Sequence, residues 1–111
     1  MDTLVSQEEA VQTLLQNYAS EANSDEAVET QLSFDRDRGH YQLVYVGWEG
    51  DRRVYGCVLH FDIKDGKIWI QHNGTEVDVA AELVRLGIPK TEIVIGFHSP
   101  FKRQFTDYAV G

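Results

Sequence analysis

Cysteine is nearly absent from this chain: one residue, Cys57, in 111. One thiol cannot close an internal disulfide, and the sequence therefore reads as a protein of a reducing cytoplasm. Basic residues are also scarce. Ten Lys and Arg stand against 18 Asp and Glu, giving a formal net charge of -8. A general nucleic-acid binder draws its affinity from Lys and Arg neutralising phosphates, so that class is disfavoured and DNA enters only indirectly. Binding to an anionic membrane surface is disfavoured for the same reason. No apolar run approaches the roughly 20 residues that span a bilayer, and no basic-then-apolar signal segment opens the sequence. The phosphate-binding patterns GxGxxG and GxxxxGK[ST] are missing, as are HExxH and CxxC. These absences leave no motif-defined enzyme class and imply no cofactor.

What remains is ordinary globular material, 42% hydrophobic and 25% charged. The length fits one domain over residues 1–111, with enough chain for a real core. The strongest local signal is VYGCVLHFDIKDGKIWIQHNGTE, residues 54–76. Asp65-Gly66 sits between two apolar-rich runs and predicts a β-hairpin, because a type I′ turn needs positive φ at both central residues.

Around that hairpin the chain reads in order. Residues 6–18 predict a helix, with Ser6 and Glu9 spaced as a capping box and Val11, Leu14, Leu15 and Tyr18 on one face. Residues 20–26 read as a loop. Alternation and β-branched content predict strands at 29–35, 40–48, 53–63 and 67–72. A second helix is expected over 75–86, capped by Thr75 and stopped by Gly87 and Pro89. A fifth strand is expected over 92–97. Ser99-Pro100 opens a short tail that Phe101, Phe105 and Tyr108 would anchor. The order α-β-β-β-β-α-β-α predicts a two-layer α+β domain, with a mainly antiparallel sheet of about five strands packed on helices.

Facing decides whether the hairpin holds a site. From a two-residue turn, Phe61 pairs with Ile70, His60 with Gln71 and Leu59 with His72. His60 and His72 then lie on opposite sheet faces and cannot share a metal. His60 and Asp62 share a face, and His40 joins them if the preceding hairpin aligns it. That cluster reads first as hydrogen-bonded polar surface, with a metal site as the less favoured reading. Placing Gly50 left-handed in a longer turn gives one coherent apolar face of Tyr41, Leu43, Tyr45, Tyr55, Cys57, Leu59, Phe61, Ile63, Ile68 and Ile70. The outer face would carry His40, Gln42, Val44, Val46, Val54, Val58, His60, Asp62, Trp69 and Gln71. A part-apolar face bearing a Trp suits a protein partner or a second copy of the chain. Cys57 and His60, at i and i+3 on a strand, point apart and make no nucleophile pair. Two loops add candidate partner-binding residues: His72, Asn73 and Glu76 at the start of the second helix, where an anion is the alternative ligand, and His98, Lys102 and Arg103 in a local basic spot. Trp69 completes that set. No catalytic residue is assigned; direct DNA binding through Arg52, Arg53, Lys102 and Arg103, or metal-nuclease chemistry at His40, His60 and Asp62, stays open as the less favoured alternative.

The runs GWEGDRRVYGCVLHFDIKDGKIWIQHNGTE and ELVRLGIPKTEIVIGFHSPFKRQFTDYAV resemble the XisI family, the fdxN element excision controlling factors of cyanobacteria. The likeness spans nearly the whole chain and is loosest over residues 28–38. It implies a small α+β protein without established catalytic activity. It also implies an XisH-like partner that resembles restriction-endonuclease-fold nucleases, and a role in controlling site-specific excision of a DNA element. Toxin–antitoxin behaviour of such pairs, with this member protective, is a second implication. The family supplies no catalytic or ligand residues to carry over.

Overall fold

In a computed structural model that describes residues 6–21 and 27–111, the elements run α1 (Gln7–Glu21), β1 (Val28–Asp35), β2 (His40–Glu49), β3 (Arg52–Lys64), β4 (Lys67–Asn73), α2 (Val79–Arg85), β5 (Ile93–Val94) and α3 (Pro100–Arg103), with a 3-10 turn at Lys90–Glu92 before β5. The expected α+β order holds. The sheet order is β1-β2-β3-β4-β5, antiparallel throughout except for β5, which runs parallel to β4. Consecutive strands are neighbours in space, the simplest solution for hairpin-connected runs.

Asp65 and Gly66 both take positive φ, 53° and 76°. The tight turn pairs Lys64 with Lys67, Ile63 with Ile68 and Phe61 with Ile70, as the sequence predicts. α1 starts where expected, the Glu9 amide donating to Ser6 Oγ at 3.0 Å, and runs three residues past the predicted end. Of the loop expected over 20–26, residues 22–26 lie outside the described residues.

Both helices pack on one face of the sheet. Ala10, Val11, Leu14 and Leu15 from α1 meet Val79, Ala80 and Leu83 from α2 over Tyr41, Leu43, Leu59, Phe61, Ile68 and Ile70. Each large aliphatic buried there contributes about 1.5–3 kcal/mol.

Two registers differ from expectation. The β2–β3 loop is the two-residue Gly50-Asp51, with Gly50 at φ 63° and Glu49 opposite Arg52. Val46 therefore pairs with Tyr55 and Val44 with Cys57; a bulge then restores Leu43 opposite Leu59 and Tyr41 opposite Phe61. The extra residue at the bulge is Val58, which packs against the core. Tyr55 and Cys57 thus belong to the outer face, not the core face, and Tyr55 is 73% exposed. The second shift lies between His60 and Phe61 against β4, where Gln71 is extra. His60 pairs with His72 and Leu59 with Asn73, so the expected separation of the two histidines by strict alternation does not hold.

Two elements are shorter than predicted. α2 begins at Val79, with Asp78 rather than Thr75 as its cap; Asp78 accepts from the Ala81 amide at 3.1 Å. Asn73 has claimed Thr75, accepting from its amide at 2.9 Å and from its hydroxyl at 2.6 Å. β5 keeps only Ile93 and Val94. The Ala109 amide donates to Ile93 O at 2.8 Å, and Val94 bridges Ala109, so the tail returns along this edge. Tyr108 packs on the core, but Phe101 and Phe105 stay exposed and meet edge to face at 5.2 Å. They do not anchor the tail as expected.

Candidate functional site

The outer sheet face divides in two. At its base, His40 opens β2 directly opposite Asp62 near the end of β3, and Gln42 pairs with His60. Alternation along β3 puts His60 and Asp62 on one side. The three side chains meet. His40 Nδ1 lies 2.7 Å and His60 Nε2 2.8 Å from the same carboxylate oxygen, Asp62 Oδ1. Gln71 Nε2 donates to the second oxygen, Oδ2, at 3.0 Å. The imidazoles stand nearly perpendicular, 79° between planes and 6.4 Å between centroids. Asp62 is only 14% exposed, whereas the His40 side chain is 53% exposed. Burial pushes the Asp62 carboxyl up, but the hydrogen bonds from His40, His60 and Gln71 outweigh it and hold the group below the usual carboxylate range.

The register that the sequence left open is thus resolved in favour of the three-residue cluster. His40, His60 and Asp62 are the described residues whose ligand atoms gather within 4.8 Å. His72, although opposite His60 in register, is exposed and stands outside that group. Gln71 is a fourth member that sequence reasoning placed on the right face without giving it a role. A carboxylate with two oxygens and two imidazoles on one of them leaves the other to be satisfied, and that need was the available signal.

At the tip of the same face, Arg53 lies over Trp48 at 5.4 Å and over Tyr55 at 5.9 Å from the ring centroids. Trp48 and Tyr55 are both exposed. Sequence reasoning missed this patch, because it turned Tyr55 inward. The signal was the two-residue Gly50-Asp51 turn, which pairs Trp48 with Arg53 on one side.

The predicted partner-binding residues scatter. Trp69 is half-buried between Lys64 Nζ at 4.3 Å and Arg103 at 5.1 Å; its indole Nε1 is buried without a hydrogen-bond partner. Arg103 is occupied internally, its Nε reaching His98 O at 3.1 Å and Ile95 O at 3.3 Å, and its second nitrogen Gly96 O at 3.3 Å. It ties down the 95–98 turn while covering Trp69. His98 is half-buried, and its Nδ1 has no partner. Lys102 and Glu76 are exposed. Asn73 is consumed by the turn before α2, its Nδ2 donating to Val77 O at 2.8 Å. At that turn the Thr75 amide serves Asn73, the Val77 amide serves Thr75, and Asp78 already places a carboxylate at the helix start. The Cys57 thiol is pushed up by burial, which its contact with Leu59 O opposes. It is half-buried and poor in thiolate. No described helix is long and apolar enough to cross a membrane.

Comparison with known proteins then decides the family. The family model described as XisI protein matches residues 1–110. The chain belongs to the XisI family. The crystal structure of an XisI-like protein from Anabaena variabilis is similar at 55% identity and a TM-score of 0.90, over 94% of this chain and 95% of that one. The crystal structure of fdxN element excision controlling factor XisI from Anabaena variabilis is similar at 34% identity and a TM-score of 0.81, over the same shares. Among functionally curated proteins there is no match. The XisI fold therefore covers the whole described sheet, with the base cluster and the aromatic tip on its outer face.

Proposed function

We propose that this XisI-family chain is a non-enzymatic accessory protein that controls site-specific excision of a DNA element in the cytoplasm by binding a nuclease-fold, XisH-like partner. The observation that carries the reading is the family itself, with a solved relative that is an fdxN element excision controlling factor and matches nearly end to end. The surface chemistry supports contact with protein rather than with DNA. The net charge of -8 suits a basic, DNA-handling partner. Three of the arginines are engaged at home: Arg52 with Glu49 at 2.7 Å, Arg53 over two rings, and Arg103 on three carbonyls. Exposed Trp, Tyr and Arg side by side are the residue types enriched where protein interfaces concentrate their energy.

The test is co-expression with an XisH-like protein from the same genome, followed by purification at low salt. The expected result is a complex that high salt weakens and that Tyr55→Ala or Trp48→Ala weakens at least tenfold. Failure of the two proteins to co-purify, together with a salt-dependent shift of element-end DNA by this chain alone, overturns the reading in favour of direct DNA binding.

A further inference from the structure

We propose that His40, His60 and Asp62 form a binding site for a borderline divalent transition ion such as Zn2+, seated on the base of the outer sheet face. The geometry is the argument. Two imidazole nitrogens from adjacent strands aim at one carboxylate oxygen at 2.7 and 2.8 Å, and the three ligand atoms lie within 4.8 Å of one another. Bonds of 2.0–2.2 Å to a tetrahedral ion need ligand atoms about 3.3 Å apart. The two N···O contacts must therefore open by about half an ångström, and the two imidazole nitrogens, within 4.8 Å of each other, must settle to the same spacing. Side-chain rotation, chiefly of the half-exposed His40, supplies both shifts. The ion takes the place of the protons that now bridge the imidazoles to Oδ1. Each such proton moves to the far ring nitrogen of a neutral histidine, or to solvent from a charged one.

Three further features fit an ion. Gln71 holds Oδ2 at 3.0 Å, which fixes the carboxylate plane and leaves Oδ1 for ligation, the role outer-shell partners play in metal sites. The backbone is fixed: His40 and Asp62 are directly paired across the sheet, and His60 sits two residues away on the same face. The donor set of two imidazoles and one carboxylate, without a thiolate, favours Zn, Cu, Ni, Co or Fe(II) over Mg, Ca or Mn. The exposed side leaves coordination positions for water or for a donor from another molecule. This site is independent of the partner reading above.

The experiment is equilibrium dialysis of tag-free, chelator-stripped full-length protein against Zn2+ and Co2+, with the visible absorption of bound Co2+ as a second readout. One ion per chain is expected. His40→Ala should weaken binding at least tenfold while keeping the native circular dichroism spectrum, because His40 is exposed. His72→Ala should bind as the parent does. Zn2+ should raise the thermal midpoint of the parent and leave that of His40→Ala unmoved. Substoichiometric binding, or binding that survives His40→Ala, or binding lost in His72→Ala, overturns the proposal and leaves a purely hydrogen-bonded cluster.

Discussion

The β2–β3 ribbon carries two different surfaces on one face. Its base is polar and closed on itself: His40, His60 and Gln71 all turn to Asp62. Its tip is aromatic and open: Arg53 lies over both Trp48 and Tyr55, and all three are exposed. Between them lies the bulge at Val58, where β3 gains one residue against β2. A bulge resets the alternation of side chains, so each half of the ribbon obeys its own facing rule. The base is tied to the core beneath it. The tip is less covered, with no fully buried residue at positions 44–58. One strand pair therefore builds a rigid platform at one end and an accessible patch at the other.

Substitutions that cross this boundary should break or sharpen the contrast. The largest effect belongs to the base. Phe61 is fully buried under both helices, and Phe61→Ala should cost about 3–5 kcal/mol in denaturant unfolding. Next come the two turn glycines. Gly39 has φ 75°, and a Cβ there would stand 2.4 Å from Ile63 O. Gly50 has φ 63° with nothing within 4 Å. Gly50→Ala should cost only the left-handed strain of about 1–2 kcal/mol. Gly39→Ala adds a backbone clash to the same strain and should cost clearly more. Equal losses at the two glycines would mean that the base is no more tightly packed than the tip.

The third test uses acid. Asp62 has its folded pKa depressed. Its stabilisation is thus present above the unfolded value of about 3.9 and is lost as pH falls through the folded value. Asp62→Asn, measured in chelator, should lower stability by about 1.5–3 kcal/mol at neutral pH, the range for hydrogen bonds to a charged group. The deficit should shrink towards zero at low pH, where the parent carboxyl is protonated too. A deficit independent of pH would place the loss in packing rather than in the charge.

How much of this was legible in the sequence follows from which interactions are local. Asp65-Gly66 announces its own turn, so the β3–β4 register near it is right. The α1 stripe and the core positions Tyr41, Leu43, Leu59, Phe61, Ile68 and Ile70 follow from periodicity. Bulges carry no such local mark. Val58 and Gln71 look like ordinary strand residues, and only the packing of both ends of a strand reveals the inserted one. That is why Tyr55 and Cys57 were turned inward and His60 was set against Gln71. α2 starts late for a related reason. Thr75 is a good cap by type, but Asn73, two residues earlier, bonds its amide and hydroxyl first. The run EIVIGF reads as a strand of six. Beyond Val94, however, the chain bends into a turn that Arg103 secures. The meeting of His40 with Asp62 was foreseeable only as a conditional, because it rests on a register 22 residues apart in sequence.

The smallest expected effect on stability is at the tip, and it separates folding from function most cleanly. Tyr55 is 73% exposed and holds only its share of the Arg53 side chain. Exposed substitutions of this kind stay within about 0.5 kcal/mol, and an exposed cation–π contact contributes about 0.5–1 kcal/mol at most. Tyr55→Ala should therefore unfold within about 1 kcal/mol of the parent. If the tip is where a partner docks, the same change should release that partner in the co-purification experiment, because a truncated aromatic anchor typically costs 2 kcal/mol or more of binding. Loss of binding with retained stability would assign the tip to recognition and the base to structure. Retained binding with retained stability would move the docking surface off the tip, towards the exposed Phe101–Phe105 pair beside Lys102.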